Sequence, residues 1–257
     1  MLPTTVPGPA GRRGGLGRSR VSQYIWIYLR RFFKPSQMDF QYTGWTMLQL
    51  LISPKTAYRH TSYHRQTKDH WARDDPAFVV LLAGIIALFT AAYCIAFGPG
   101  LGGSLLIILA AVIRDFLIVG ALISLGGWLL ATRFLYSPSG QEHAIEQRME
   151  LMYAFDVHCN SLLPWLLIVN VLQLVLSPLL VSQSYLAAAV SCTLYVAGAS
   201  SYLYITFLGY SVLPGLNHTV LLLLPVGAMA VALPLAILGR FNPTRTALWL
   251  YYGYRRA

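Results

Sequence analysis

Asp74 and Asp75, side by side, and the pair Asp156 and His158 are the residues of this chain whose types could do chemistry together. Carboxylates and an imidazole gathered at one place can hold a divalent metal or pass protons. The two pairs lie far apart in the chain, so they meet only if the elements carrying them start at one face of the molecule. No HExxH sequence, repeated histidine box or Ser/His/Asp arrangement accompanies them. We therefore assign no catalytic residue, metal or cofactor. The plainer reading is a cluster of ion pairs and hydrogen bonds that fixes how helices enter a membrane.

A second constellation is Arg114-Asp115, which interrupts an otherwise apolar run. Ionisable groups inside a span are costly and by default mark function. Neighbours at i and i+1 point to different sides of a helix, so each is expected to find its own partner. Asn170 and Gln173, in the next apolar run, are the candidates for an interhelical polar lock. A third group is basic and aromatic: Arg65, Lys68, Trp71 and Arg73, just ahead of Asp74 and Asp75.

The elements that must position these residues are written in the composition. Of 257 residues, 56% are hydrophobic and 11% charged, against about 25% charged in an ordinary soluble domain. Five apolar runs, 77–97, 105–130, 161–181, 185–208 and 219–238, are each long enough to cross about 30 Å of hydrocarbon. The fold class predicted is an all-α polytopic transmembrane bundle of five spans. Residues 1–22, rich in Pro, Gly and Arg, read as a disordered basic N-terminus with no cleavable signal peptide. Residues 23–76 read as cytosolic amphipathic or interfacial helices, 77–239 as the membrane domain and 240–257 as a tail. Within 38–52, Trp45, Leu48, Leu51 and Ile52 form one apolar stripe, with Asp39 in the first turn and Ser53-Pro54 ending the helix. The segment 132–160 reads as the one sizeable inner loop. On the fourth run, Thr193, Ala197 and Ser201 make a small-residue side suited to close helix packing. Cys94, Cys159 and Cys192 form no CxxC pair and read as small core residues.

Residues 1–76 hold 12 of the 19 Lys and Arg and 4 of the 9 Asp and Glu, a net of +8, whereas the other 181 residues carry +2. Lys and Arg mark the cytosolic side, so the N-terminus is placed in the cytosol and the lipid bilayer is the first partner. A fifth span then puts the basic residues Arg240, Arg245, Arg255 and Arg256 on the opposite side, against the same rule. If 38–52 also spanned, the count would be six.

Four stretches carry a resemblance to a known family: Gln37-Met38-Asp39-Phe40, the run from Gln66 to Phe78 (QTKDHWARDDPAF), Tyr153-Ala154-Phe155-Asp156-Val157-His158, and Thr206-Phe207-Leu208-Gly209-Tyr210-Ser211. In this order they resemble the uncoordinated-fifty (Unc-50-like) family of Golgi multi-pass membrane proteins, over about Tyr28 to the C-terminal region. An acidic residue at Asp115 fits the family's pattern, whereas Arg114 and Cys159 depart from it. The resemblance implies five spans, Golgi residence with an inner nuclear membrane or ER pool, and a part in vesicle-mediated protein transport. Implied partners are an exchange factor for Arf-type GTPases and cell-surface receptor cargo. RNA binding is also associated with the family, but no motif in this chain supports it. No catalytic residue is carried over, so the chain is expected not to be an enzyme. Arg65, Lys68, Trp71, Arg73, Asp74, Asp75, Asp156 and His158 are the expected partner-binding face. The competing reading is a membrane-embedded lipid-handling enzyme or carrier that uses the Asp/His cluster.

Overall fold

The computed structural model describes residues 30–32, 34–68, 70–98, 100–136 and 149–253, and their side chains except at 62 and 64–68. Two short helices precede the bundle. In α1, Phe40–Ile52, Asp39 is the N-cap rather than a first-turn residue, because its carboxylate accepts the Tyr42 N–H at 2.8 Å. The helix ends at Ser53-Pro54 as expected, and Pro54 also opens α2, Pro54–Lys68, where a proline at the head of a helix lacks only an N–H that had no partner anyway.

Five helices are long and apolar enough to cross a membrane: α3, Ala77–Phe97; α4, Leu101–Leu135; α5, Leu151–Leu180; α6, Tyr185–Ser211; and α7, Thr219–Leu238. The protein is a multi-pass α-helical membrane protein. The first span has the limits its apolarity predicts. The second and third are longer than predicted, and the inner loop expected over 132–160 shrinks to 136–150, most of which lies outside the described residues. The reason is that Asp156, His158 and Asn160 are too polar to read as part of a span, yet each is buried and hydrogen-bonded and so sits in the opening turns of α5.

Because the spans alternate, the α1–α2 pair, the head of α3, the end of α4 and the head of α5 share one end of the bundle, here the N-terminal face. The core there gathers Tyr58, Phe78, Leu82, Phe116, Tyr153, Val157 and Tyr210. At the opposite end a helix absent from the sequence reading, α8, Pro243–Tyr252, folds back on the bundle. Asn242 caps it by accepting the Arg245 N–H at 3.1 Å and donates to the Leu180 carbonyl at 2.7 Å. Thr244 bonds Ser191 and Gln173, and Leu248 is buried beside Tyr93 and Val181. By contrast α7 buries none of its 224–238 stretch and faces lipid.

The apolar stripe of α1 does not pack on the bundle, and one packing expectation, on α6, changes. On α1 the side turned to the bundle is Thr43, Met47 and Leu50, while the predicted stripe of Trp45, Leu48, Leu51 and Ile52 faces outward, Ile52 at 79% exposure. Both sides of α1 are apolar, so periodicity alone could not choose the one that packs. On α6, Ala188, Ser191 and Gly198 are buried, and a Cβ at Gly198 would lie 2.5 Å from Val169 of α5. Thr193 and Ala197 lie outside that contact, and the Thr193 and Ser201 hydroxyls bond carbonyls of their own helix. The three cysteines are free and buried.

Candidate functional site

The 70–76 segment has no helix or strand of its own, so its backbone needs partners, and side chains of α5 supply them. Glu150 accepts the N–H groups of Trp71 and Ala72, each at 3.3 Å. Asp156 accepts the Arg73 N–H at 2.7 Å. The Arg73 guanidinium donates to Asn160 at 2.6 Å and lies 4.2 Å from the centre of the Phe78 ring. Asn160 in turn donates to the Tyr58 hydroxyl of α2 at 3.2 Å. Burial pushes the Tyr58 phenol well above its ordinary range, with the Asn160 bond opposing more weakly, so Tyr58 stays neutral at any physiological pH.

The acidic pair works on the other side of the same segment. Asp75 accepts the Asp39 N–H at 2.7 Å and the Ala77 N–H at 3.0 Å, tying the start of α1 to the start of α3. Asp74 pairs with His70 at 2.7 Å, and its carbonyl accepts from Arg31 at 3.0 Å. Tyr153 meets the Trp71 ring at a 57° tilt, 5.8 Å between centres, and donates to the Gly209 carbonyl at 2.8 Å, which brings in the end of α6. At Gly209 the helices are so close that a Cβ would lie 2.8 Å from Val157 and 2.9 Å from the Tyr58 hydroxyl. Thus the four stretches on which the family resemblance rests, dispersed between residues 37 and 211, meet in one hydrogen-bonded clasp.

His158 stands apart from the clasp. Its Nδ1 pairs with the Tyr202 hydroxyl at 2.8 Å, and its Nε2 faces Gly120 of α4, where a Cβ would lie 2.7 Å away. The Asp/His cluster is therefore dispersed, with each member held by a different partner. Among the described residues no three His, Cys, Asp or Glu are placed to hold a metal ion.

Trp71, Asp156 and His158 are buried and offer no side-chain surface, whereas Arg73, Asp74 and Asp75 are half-buried. The side chains of Arg65 and Lys68 lie outside the described residues. Glu150, Asn160, Tyr58 and Tyr153 are members that sequence reasoning missed. Tyr153 stood in one of the four family stretches without a role, Glu150 and Asn160 were polar residues beside an apolar run, and Tyr58 lay in a polar stretch with no signal of its own.

The intramembrane prediction also changes. Arg114 and Asp115 do pair, with Nε and one guanidinium nitrogen donating to the two carboxylate oxygens at 2.6 and 2.9 Å. Arginine is long enough to fold back on its neighbour, and Ala111–Ile118 is a π-helical stretch whose wider turn differs from the α-helical geometry assumed. Gln173 turns instead to Tyr93 and Thr244, at 3.2 Å each, and the Asn170 carbonyl accepts from Tyr93 at 2.9 Å.

Beside the clasp, α1, α2 and the 70–76 segment enclose an open cavity of about 630 Å³. Arg31, Asp39, Trp45, His60, His70 and Asp75 line it, and Trp45 meets His60 edge-on at 5.2 Å.

These features define a polytopic helical membrane protein with a polar, clasped cap on one face. The chain belongs to the UNC-50 family, whose profile matches residues 28–252. It is 42% identical to the Dictyostelium discoideum protein unc-50 homolog over 92% of this chain and 91% of that one. It is 37% identical to the Homo sapiens and 38% identical to the Mus musculus protein unc-50 homolog, over 99% of each chain. No solved structure matches it.

Proposed function

We propose that the protein is a Golgi membrane platform that supports vesicle-mediated transport, with its N-terminal face in the cytosol receiving an Arf-type GTPase exchange factor. The observation that carries this reading is the clasp. It fixes a two-helix cap on the bundle and leaves beside it an open concavity with cations, carboxylates and exposed aromatic rings. Arg and aromatic side chains are the groups that anchor protein partners. The Lys and Arg excess in residues 1–76 supports the cytosolic orientation. Golgi residence, the exchange factor and receptor cargo are carried over from what the UNC-50 resemblance implies. The reading assigns no catalysis.

Trp45 and His60 test it, because both are exposed and neither bonds the clasp. Pull-downs from detergent-solubilised Golgi membranes should compare wild type with Trp45→Ala/His60→Ala. Loss of an anchoring aromatic pair costs about 2 kcal/mol or more of binding, so exchange-factor recovery should fall at least about tenfold with insertion unchanged. Undiminished recovery would overturn the reading.

A further inference from the structure

A second cavity, of about 370 Å³, lies away from the clasp, among α3, α4, α5, α6 and α8. Apolar walls come from Ile86, Phe116, Leu162, Trp165 and Leu248, and polar groups from Asp115, Asn170, Gln173, Tyr195 and Tyr251. Its size falls within the range of about 300–1,000 Å³ typical of small-molecule sites.

Three observations mark it as more than a packing gap. Its walls include both long π-helical stretches of the bundle, Ala111–Ile118 of α4 and Leu166–Leu172 of α5. Such widened turns recur at functional sites. The one in α5 follows Pro164, but the one in α4 contains no proline, so its local sequence does not account for it. The second observation is the rim. Asp115 lines the cavity, and Arg114, paired with it, lies over the ring of Tyr251 at 5.8 Å; the side chains of Arg114 and Asp115 remain 59% and 31% exposed, about 20 Å of helix in from Leu101. Polar groups so deep in a span are expensive unless something meets them. The third is α8, which has no place in a five-span count yet forms one wall of this cavity with Ala247, Leu248, Tyr251 and Tyr252, Tyr252 stacking on Tyr93 at 5.6 Å.

We propose that this cavity binds an uncharged, hydroxyl-headed membrane lipid. The rim ion pair has no net charge, so a charged headgroup would bring an unmatched charge into a low-dielectric site. A hydroxyl can donate to a carboxylate or amide oxygen and accept from tyrosine or amide N–H groups, the donor and acceptor types gathered here. The lipid's apolar body lies against Phe116, Leu162 and Trp165. The site is separate from the cap and does not rest on the platform reading.

The test uses the full-length protein in detergent–lipid micelles with three photo-crosslinkable probes: a sterol, a diacylglycerol and a phosphatidylserine. Cross-linked peptides are read by mass spectrometry. The expected result is labelling of peptides spanning 107–116, 162–173 or 247–252 by the sterol or the diacylglycerol, and whichever labels names the source. Excess unlabelled lipid of the same kind should compete it away. Ala111→Phe, which fills the cavity without removing a hydrogen bond, should cut labelling at least about fivefold, about 1 kcal/mol of binding. Ile107→Phe serves if the first variant does not fold. Absence of labelling in these peptides, labelling that does not compete, equal labelling by phosphatidylserine, or labelling indifferent to the filled cavity would each overturn the proposal.

Discussion

Arg73 and Asp156 are joined through the backbone: the Arg73 N–H donates to the Asp156 carboxylate at 2.7 Å, while the guanidinium reaches Asn160, four residues further along the same helix. One helix thus reads both the main chain and the side chain of a single residue in an irregular segment. Removing Asp156 strands a buried N–H and leaves the neighbouring cation less well compensated. Asp156→Ala should destabilise by about 2–3 kcal/mol, whereas Asp156→Asn, which keeps an oxygen acceptor, should cost about 1 kcal/mol. Thermal unfolding of the detergent-solubilised protein, with proteolytic release of the N-terminal region, checks the order. Equal losses would show that the carboxylate's charge is immaterial to the clasp.

Gly209 makes a sharper geometric test. Its α-carbon passes so close to Val157 and Tyr58 that an added methyl has no room, whereas nothing lies within 4 Å of a Cβ at Gly126. Gly209→Ala should cost about 1–3 kcal/mol through overpacking. Gly126→Ala should be neutral or slightly stabilising, since alanine is the better helix former. Melting temperatures by fluorescence-detected gel filtration will separate them.

At the other end, Leu248→Ala removes the side chain that seats α8 between Tyr93 and Val181. A buried Leu→Ala change costs about 2–5 kcal/mol. The Cys192 thiol, now buried and turned to the Phe241 carbonyl at 3.2 Å, reports on it. Maleimide modification of Cys192 should become much faster in the variant, while Cys159, in the core at the N-terminal face, stays protected.

Orientation is read from two introduced thiols. Tyr63 is exposed on α2 and Gln183 lies in the turn between α5 and α6, at opposite ends of the bundle. In sealed, cytosol-out vesicles Tyr63→Cys should react with an impermeant maleimide and Gln183→Cys only after permeabilisation. The reverse pattern would invert the proposed topology.

The spans were legible because length and apolarity suffice to specify them. The 77–97 run has no polar interruption and appears with those limits. What was not legible depended on partners distant in the chain. Asp156, His158 and Asn160 looked like a loop until Arg73, Tyr202 and Tyr58 were beside them. Arg114 and Asp115 were separated by the geometry of an ideal α-helix, which this stretch does not adopt. Residues 243–252 read as a basic tail, and Thr244, bonded to Ser191 and Gln173, with Leu248 buried beside Tyr93, shows them to be part of the bundle. The clasp was half visible: Asp74, Asp75, Asp156 and Arg73 were singled out as a face for others, and most of their bonds serve the protein itself.

The position of α8 after the lipid-facing α7 also imposes an order of assembly. The clasp is complete once Gly209 has been synthesised, while the opposite core still lacks Thr244 and Leu248. Chains fold from the N-terminus as they are made, so the cap sets while the other end is still open. That end closes only when α7 has crossed the bilayer and carried α8 back. A nascent chain halted between residues 218 and 243 would present a finished N-terminal face and a far-end core still lacking Thr244 and Leu248, a state that membrane quality control could distinguish from the mature fold.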